Sequence, residues 1–216
     1  MDSADRFVTV LQHGRREAIL SAFAHTVVDL GYTAVTMDEV ARRARLSVGE
    51  VRELFPARPD LVAGLIERNT TAARARIEGA RRETVGVEPW TERVRVLLTR
   101  YLEGMAHDPA YIRLAIVEPA ALDDVDPAVK IAMRDAYVTS TLAISREIAA
   151  DAGLVPLDET TVHFVSAGMG ELVARNIYRG MPPAEAMLAI VEPTVRVLEL
   201  MMPKAPAATP AKVDAS

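Results

Sequence analysis

Five arginines lie close together near the N-terminal end of the sequence, and guanidinium groups bind phosphate oxygens and guanine edges. Between positions 42 and 58 only two acids, Glu50 and Glu53, accompany these arginines, which are Arg42, Arg43, Arg45, Arg52 and Arg58. The whole chain has a net charge of −5, which argues against a protein that coats nucleic acid without regard to sequence. Arginines on a solvated helix face would bind nothing, so charge alone leaves both interpretations open.

Two helix-start motifs lie in the same segment. Thr36-Met37-Asp38-Glu39 is followed eleven residues later by Ser47-Val48-Gly49-Glu50, and both fit a capping box of hydroxyl and glutamate. The spacing predicts a helix of about eight residues, a turn of about three and a second helix, which is the size of a helix-turn-helix. The hydroxyl and free amides at Thr36 are also suited to hold a phosphate.

If this unit enters the major groove of DNA, the first turn of its second helix must present small side chains to the bases. Val48 could contact a thymine methyl, Gly49 would allow close approach, and Arg45 and Arg52 could reach phosphates or a guanine. The candidate DNA-binding residues are Thr36, Arg45, Ser47, Val48, Gly49, Arg52 and Arg58. The alternative is a helical hairpin whose arginines are merely solvated.

The elements around this unit are predicted to be helical, because aromatic residues are only 5% of the chain and strand-like alternation is absent. Caps, prolines and glycines predict an all-α fold of about nine helices. They are placed at 11–29, 36–44, 47–55, 59–82, 89–105, 109–118, 127–151, 158–179 and 183–202, with a kink expected at Pro193. Residues 203–216 are predicted to be a disordered tail.

Several classes of protein are excluded or made improbable by what the sequence lacks. It has no cysteine, which excludes disulfides, thiolate zinc sites and cysteine nucleophiles. It has no G-x-S-x-G motif or phosphate-cradling glycine loop, and His107 and His163 are isolated, so we expect no enzyme activity, cofactor or metal. No apolar run reaches about 18 residues and the N-terminus does not resemble a signal peptide, so we expect a cytoplasmic protein without a membrane partner. The acidic loop of Asp123, Asp124 and Asp126 is predicted to be solvent-exposed, with Asp126 capping a helix.

The residues of the first 62 positions resemble those of the TetR-type transcriptional repressors. The matching positions, over about residues 11–62, are Ala22-Phe23, Gly31-Tyr32, Thr36-x-x-x-Val40-Ala41-x-x-Ala44, Leu46-Ser47-x-Gly49, Phe55-Pro56 and Asp60-Leu61. The sequence departs from the family at Arg45, where the family usually has glycine in the turn. It departs again at Arg52, where an aromatic residue usually contacts a phosphate, while Arg58 stands for the family's usual lysine.

This resemblance implies a three-helix DNA-binding domain at 1–58, with its helix-turn-helix at about 36–55, and a helical effector-binding and dimerisation domain at 59–202. It implies a ligand-responsive repressor that binds a palindromic operator in double-stranded DNA as a homodimer and is released by a small apolar effector. The helix at 59–82 would link the two activities. A helical scaffold or adaptor that does not bind DNA is the alternative.

The residues for the second domain are predicted from helix faces and side-chain type. The candidate effector-binding residues are Met105, His107, Tyr111, Met133, Tyr137, Phe164 and Met169, although core packing is the more common role of any one such residue. The candidate dimer interface lies on the last two predicted helices, because the helix at 183–202 is apolar over most of its circumference and needs two partners. The alternative is that both helices pack only within their own chain. Its residues are Val162, Ser166, Gly170, Ala174, Val191, Val195 and Leu198.

Overall fold

The computed structural model describes residues 3–206, apart from the side chains of 3–9, 132–134, 136, 137 and 140. Within that range the all-α prediction is confirmed, with ten α-helices in place of about nine. They are α1 (Ser3–Leu30), α2 (Met37–Ala44), α3 (Val48–Leu54), α4 (Arg58–Glu83), α5 (Trp90–Ala106), α6 (Pro109–Ile112), α7 (Pro127–Ala152), α8 (Glu159–Tyr178), α9 (Pro183–Leu188) and α10 (Val191–Met201). No helix in this described range is long and apolar enough to cross a membrane.

The starts of α2 and α3 lie where the capping motifs predict them. Ser47 Oγ accepts from the Glu50 amide at 3.2 Å, and the Glu50 carboxylate accepts from the Ser47 amide at 2.9 Å, which completes a capping box. Thr36 forms only half of one, because its hydroxyl accepts from the Glu39 amide. The predicted second half is wrong, since the Glu39 carboxylate binds two guanidinium groups in the next turn of α2, and charge-assisted hydrogen bonds are the stronger ones.

Two predicted helices are interrupted. The segment predicted at 183–202 is two helices, α9 and α10, and not one kinked helix. Pro193 has no N–H to donate to the carbonyl of Ala189, and its ring crowds that carbonyl, so the helix breaks there. The helix predicted at 109–118 is α-helical only to Ile112 and continues as a π turn, Arg113–Val117, that holds one extra residue.

The first apolar core, called the head core below, is assembled from two distant parts of the chain. The helices α1, α2 and α3 that it holds together are called the head. Its buried members come from α1, α2, α3 and the first turns of α4, and include Phe23, Val40, Val51 and Leu65. The same core also takes four buried residues from beyond α5, which are Ala110, Leu114, Leu122 and Val125. Packing therefore crosses the functional division that we predict at residue 58.

The second apolar core, called the body core, is built mainly by α5, α7, α8, α9 and α10, and these five helices are called the body. A buried guanidinium ties three helices together beside it. Arg93 of α5 is only 4% exposed and donates to Asp151 at 2.6 Å and to Glu147, both on α7. Arg81 of α4 binds the same Glu147 carboxylate, so the far end of α4 is fixed to the body.

The chain end is ordered further than predicted. The Val155 amide donates to Pro203 O, and the Ala205 amide donates to Gly153 O, both at 2.9 Å. The prediction of a disordered tail from 203 is therefore wrong for its first residues, whose backbone groups find partners next to α7. Residues 207–216 lie outside the described part of the chain.

Candidate nucleic-acid interface and ligand cavity

The helix-turn-helix presents most of its predicted contact residues to solvent. Val40, Ala41 and Val51 are buried in the head core and hold α2 and α3 against α1. Five of the seven candidates are exposed, namely Thr36, Arg45, Ser47, Gly49 and Arg52. Val48 and Arg58 are half-buried. The first turn of α3 thus forms an exposed edge made of small side chains.

Arg45 ends α2 with its backbone in the left-handed region, at φ 58° and ψ 40°. The neighbouring Leu46 amide donates to Ala41 O at 3.0 Å, the bond that closes this type of helix end. Glycine is favoured in such a position because it has no Cβ, and a left-handed L residue costs about 1–2 kcal/mol. The turn geometry is therefore retained despite the departure from glycine, and Arg45 carries its guanidinium into solvent.

The arginines of this segment divide into paired and unpaired groups. Arg42 and Arg43 both bind the Glu39 carboxylate, and their hydrogen bonds lower the Glu39 pKa to about 2. Arg43 also binds Asp29 at 2.5 Å. Arg45 and Arg52, on either side of the exposed turn, have no acidic partner among residues 3–206. These two charges are the ones available to an anion.

Arg58 is paired with other side chains of the chain and does not lie free in solvent. Its Nη2 lies 2.6 Å from Asp124 Oδ2, and its guanidinium stacks over the Tyr32 ring, 4.3 Å from the centroid. The Tyr32 hydroxyl donates to the other Asp124 oxygen at 2.7 Å. The three acids of this loop are exposed, as predicted, and Asp126 caps α7 by accepting from the Ala128 amide. Asp124 is in addition the ionic partner of Arg58, a pairing that the sequence did not indicate. Sequence patterns could not link positions 58 and 124.

A second arginine joins the π turn to the head. Arg113 Nη1 donates to the carbonyls of Val27 and Val28, at 3.0 and 2.7 Å, where α1 ends. Its Nε donates to Glu118 at 2.7 Å, which fixes the guanidinium in place. A cation at these carbonyls stabilises the C-terminal end of α1. The π turn thus touches the head through a charge as well as through Leu114.

Two adjoining cavities lie in the body. Cavity A, of about 90 Å³, lies between α5, α7, α8 and α10 and is lined mostly by aliphatic side chains. Cavity B, of about 500 Å³, lies between α5, α6, the π turn, α8 and α9. Tyr101 and Met169 line both cavities, so the two cavities adjoin at these side chains.

The candidate effector residues are distributed unevenly around these cavities. Met105, Tyr111 and Met169 line cavity B. His107 is exposed, with Nδ1 2.6 Å from Glu103 O, and Phe164 is 73% exposed, so neither lines a cavity. The side chains of Met133 and Tyr137 lie outside the described residues. The lining also includes three polar residues of α8 that are not among the predicted effector residues, namely His163, Ser166 and Glu171.

The candidate dimer residues face into their own chain. Val162, Ala174, Val191 and Val195 are buried there. Ser166 and Gly170 line cavity B, and Leu198 lines cavity A. Helices that are apolar on two sides give no periodic signal for which side faces inward, so the predicted face is the inner one. The outer apolar residues include Phe164 and Leu172 on α8 and Val197 and Leu200 on α10.

Of three comparisons with known proteins, only the one with solved structures finds a match. No family model matches the sequence, and a search of curated proteins finds no match either. Solved structures do match along most of the chain. The fatty acid degradation regulator FadR from Bacillus halodurans has 14% identity and a TM-score of 0.64, over 85% of this chain and 94% of that one. FadR from Bacillus subtilis, solved with stearoyl-CoA, has 13% identity and a TM-score of 0.63, over 84% and 96%.

The chain thus has an all-helical fold with a helix-turn-helix, and these solved structures share it. More particularly, it is the TetR-family fold. The TetR-family regulator PfmR from Thermus thermophilus shares it at 17% identity and a TM-score of 0.59, over 82% of this chain and 97% of that one. The resemblance in residues 11–62 is confirmed at the level of the fold.

Proposed function

We propose that this chain is a ligand-responsive transcriptional repressor that binds a palindromic operator as a homodimer. The observation that carries the proposal is the exposed first turn of α3, lined by Ser47 and Gly49 and flanked by the unpaired guanidinium groups of Arg45 and Arg52. Small side chains let a helix approach base edges, and flanking cations neutralise phosphates. The remaining free amides at the start of α2, beside Thr36, provide a further phosphate contact.

Dimerisation follows from the size of this interface. α3 has seven residues, and one such helix buries too little surface for the usual specific range of about 10⁻⁸–10⁻¹¹ M. Two heads on a two-fold axis would read two half-sites. We infer that the outer apolar faces of α8 and α10 form the contact, because Phe164 and Leu200 are 73% and 83% exposed in the single chain.

Two glycines of α8 make a matched test of that interface. Gly168 is exposed on the outer face and Gly170 lines cavity B, and a Cβ built on either one meets no atom within 4 Å. We expect Gly168→Arg to give a monomer in sedimentation at micromolar concentration, with much weaker operator binding. Gly170→Ala, the control, should remain dimeric. A dimeric Gly168→Arg protein would contradict the assignment of this face.

Release by an effector has a physical route through the π turn. Ala115 and Ile116 of this turn line cavity B, while Leu114 lies in the head core and Arg113 binds the end of α1. A ligand that displaces the turn would therefore move the head. α4 offers a second route, because its first turns lie in the head core and Ile77, near its far end, lines cavity A. An apolar effector of the kind predicted would act only through different affinities for the two states.

DNA selection from a random-sequence pool tests the proposal. The purified protein should enrich a palindromic site, and anisotropy should give its affinity and salt dependence. Arg52→Ala should weaken binding to all sequences about equally and reduce the salt slope by about one phosphate contact. Arg100→Ala, which removes an exposed arginine of α5, should leave both unchanged. If the protein enriches no DNA and does not bind a heparin column, the result would favour the alternative, a helical scaffold or adaptor.

A further inference from the structure

Tyr111 supplies a hydrogen-bond donor to cavity B. Its side chain lines the cavity, and its hydroxyl has no hydrogen-bond partner among residues 3–206. Burial, and then the charge of the nearby Asp108, raise the Tyr111 pKa to about 12, so the hydroxyl keeps its proton at neutral pH. The hydroxyl of this half-buried side chain is therefore a protonated donor at the cavity wall, and a ligand atom that accepts from it gains a hydrogen bond.

The charges around cavity B do not suit an anion. Among its described lining residues none is lysine or arginine, and Glu171 contributes a negative charge at the exposed side of α8. The nearby Asp108 carboxylate is already engaged by Arg68 at 3.2 Å and by Asn69 at 3.3 Å. Of the described lining residues only His163 can become a cation, and it is exposed and lies 3.9 Å from the Glu159 carboxylate. An anion in the cavity would lose its hydration with no lysine or arginine to replace it, which is costly.

Cavity A, on the other side of Tyr101 and Met169, offers space for an apolar chain. Two of its hydroxyls already have protein partners. Ser145 Oγ accepts from the Leu157 amide at 2.8 Å, and the Thr194 hydroxyl donates to Ile190 O at 2.7 Å. The rest of the lining is largely aliphatic, as in sites that bind hydrocarbon.

We propose that cavity B binds an uncharged, largely apolar molecule that carries a carbonyl oxygen, as in a ketone or an ester. The oxygen accepts a hydrogen bond from the Tyr111 hydroxyl, and the chain runs along Tyr101 and Met169 toward cavity A. This ligand class deepens the proposed function, because such a molecule would be the effector. Carboxylates and coenzyme A thioesters carry negative charge, so this ligand class excludes them as effectors.

Four ligands with the same eight-carbon chain test the proposal on the full-length protein. They are methyl octanoate, octanoate, octanoyl-CoA and octylamine, and isothermal titration calorimetry gives each dissociation constant. We expect methyl octanoate to bind at least about tenfold more tightly than each of the other three, because the two anions would lose hydration and the ammonium cannot accept a hydrogen bond from Tyr111. Tighter or equal binding of octanoate, octanoyl-CoA or octylamine overturns the ligand class, and so does binding of none of the four.

Two tyrosine variants locate the contact. Tyr111→Phe should weaken methyl octanoate binding about tenfold, because it removes one hydrogen bond with little change in shape. Tyr178→Phe is the matched control, since the Tyr178 hydroxyl donates to Val117 O and does not line the cavity. An unchanged affinity in Tyr111→Phe overturns the assignment. Bound methyl octanoate that leaves operator affinity unchanged would instead refute regulation by this ligand, and the ligand class would stand.

Discussion

Replacing Arg45 by glycine should stabilise the protein, although Arg45 is one of the two unpaired arginines proposed to contact DNA. The residue is held at φ 58°, where an L side chain costs about 1–2 kcal/mol and glycine does not. Glycine loses more backbone entropy on folding, which offsets about 0.5–1 kcal/mol of this gain. The Arg45 side chain is exposed and has no acidic partner in the described range, so its removal should change stability by less than about 0.5 kcal/mol.

The measurement compares Arg45→Gly with Arg45→Ala, which both lose the guanidinium. We expect the glycine variant to be more stable than the alanine variant by about 1 kcal/mol, or about 2–4 °C in Tm for a chain of this size. Urea denaturation at one fixed protein concentration is suitable, because dimerisation would make stability depend on concentration. Both variants should lose the same operator affinity.

The same pair of substitutions at Arg52 is the control. Arg52 lies inside α3, where glycine is less favourable than alanine by about 1 kcal/mol. The order of stability should therefore be reversed between the two positions. An Arg45→Gly protein no more stable than Arg45→Ala would refute the claim that the turn holds a strained backbone.

Three further predictions concern the head. Val48→Glu places a carboxylate against the bases and should abolish selective binding, and circular dichroism should show that the variant remains folded; selective binding that persists would mean that α3 docks differently. Asp124→Asn should free Arg58 for a phosphate and raise DNA affinity several-fold with a steeper salt slope, whereas Asp123→Asn, a matched loss of charge, should not; equal gains would refute the competition. The pKa of Glu39 is depressed to about 2, so its charge stabilises the folded state above its ordinary pKa of 4.5, and that contribution is lost as pH falls toward 2. Glu39→Gln should therefore lose less stability than the wild type between pH 5 and pH 2 in acid titrations of thermal stability, and parallel losses would contradict the assignment.

Local chemistry in the head was predictable from sequence. The caps at Thr36 and Ser47 need only residues within one helical turn, so spacing was enough to place α2, the turn and α3. The exposure of Gly49 and Arg52 follows from the same pattern, since Val51 between them must face the core.

Contacts that join distant segments were not predictable. Asp124 meets Arg58 across 66 positions, and Arg113 meets Val28 across 85, and neither pair has a local signature. The inward and outward sides of α8 could not be distinguished, because Val162 is buried while Phe164, two positions on, is exposed. The sequence predicts a kink at Pro193 where the structure has two separate helices, α9 and α10. A proline can either kink a helix or end it, and packing decides which.

The head core has a consequence for engineering. Because Leu114, Leu122 and Val125 complete it, a fragment that ends after α4 would leave apolar residues such as Phe23 and Leu65 without part of their cover. A chimaera that takes α1 to α3 from another protein of this fold would pack these apolar residues against unmatched partners in the same way. The transferable unit is therefore discontinuous: it consists of α1 through the first turns of α4 together with the segment from 110 to 125. Recombination between relatives that exchanges both of these segments together should give folded hybrids more often than a single crossover at residue 58.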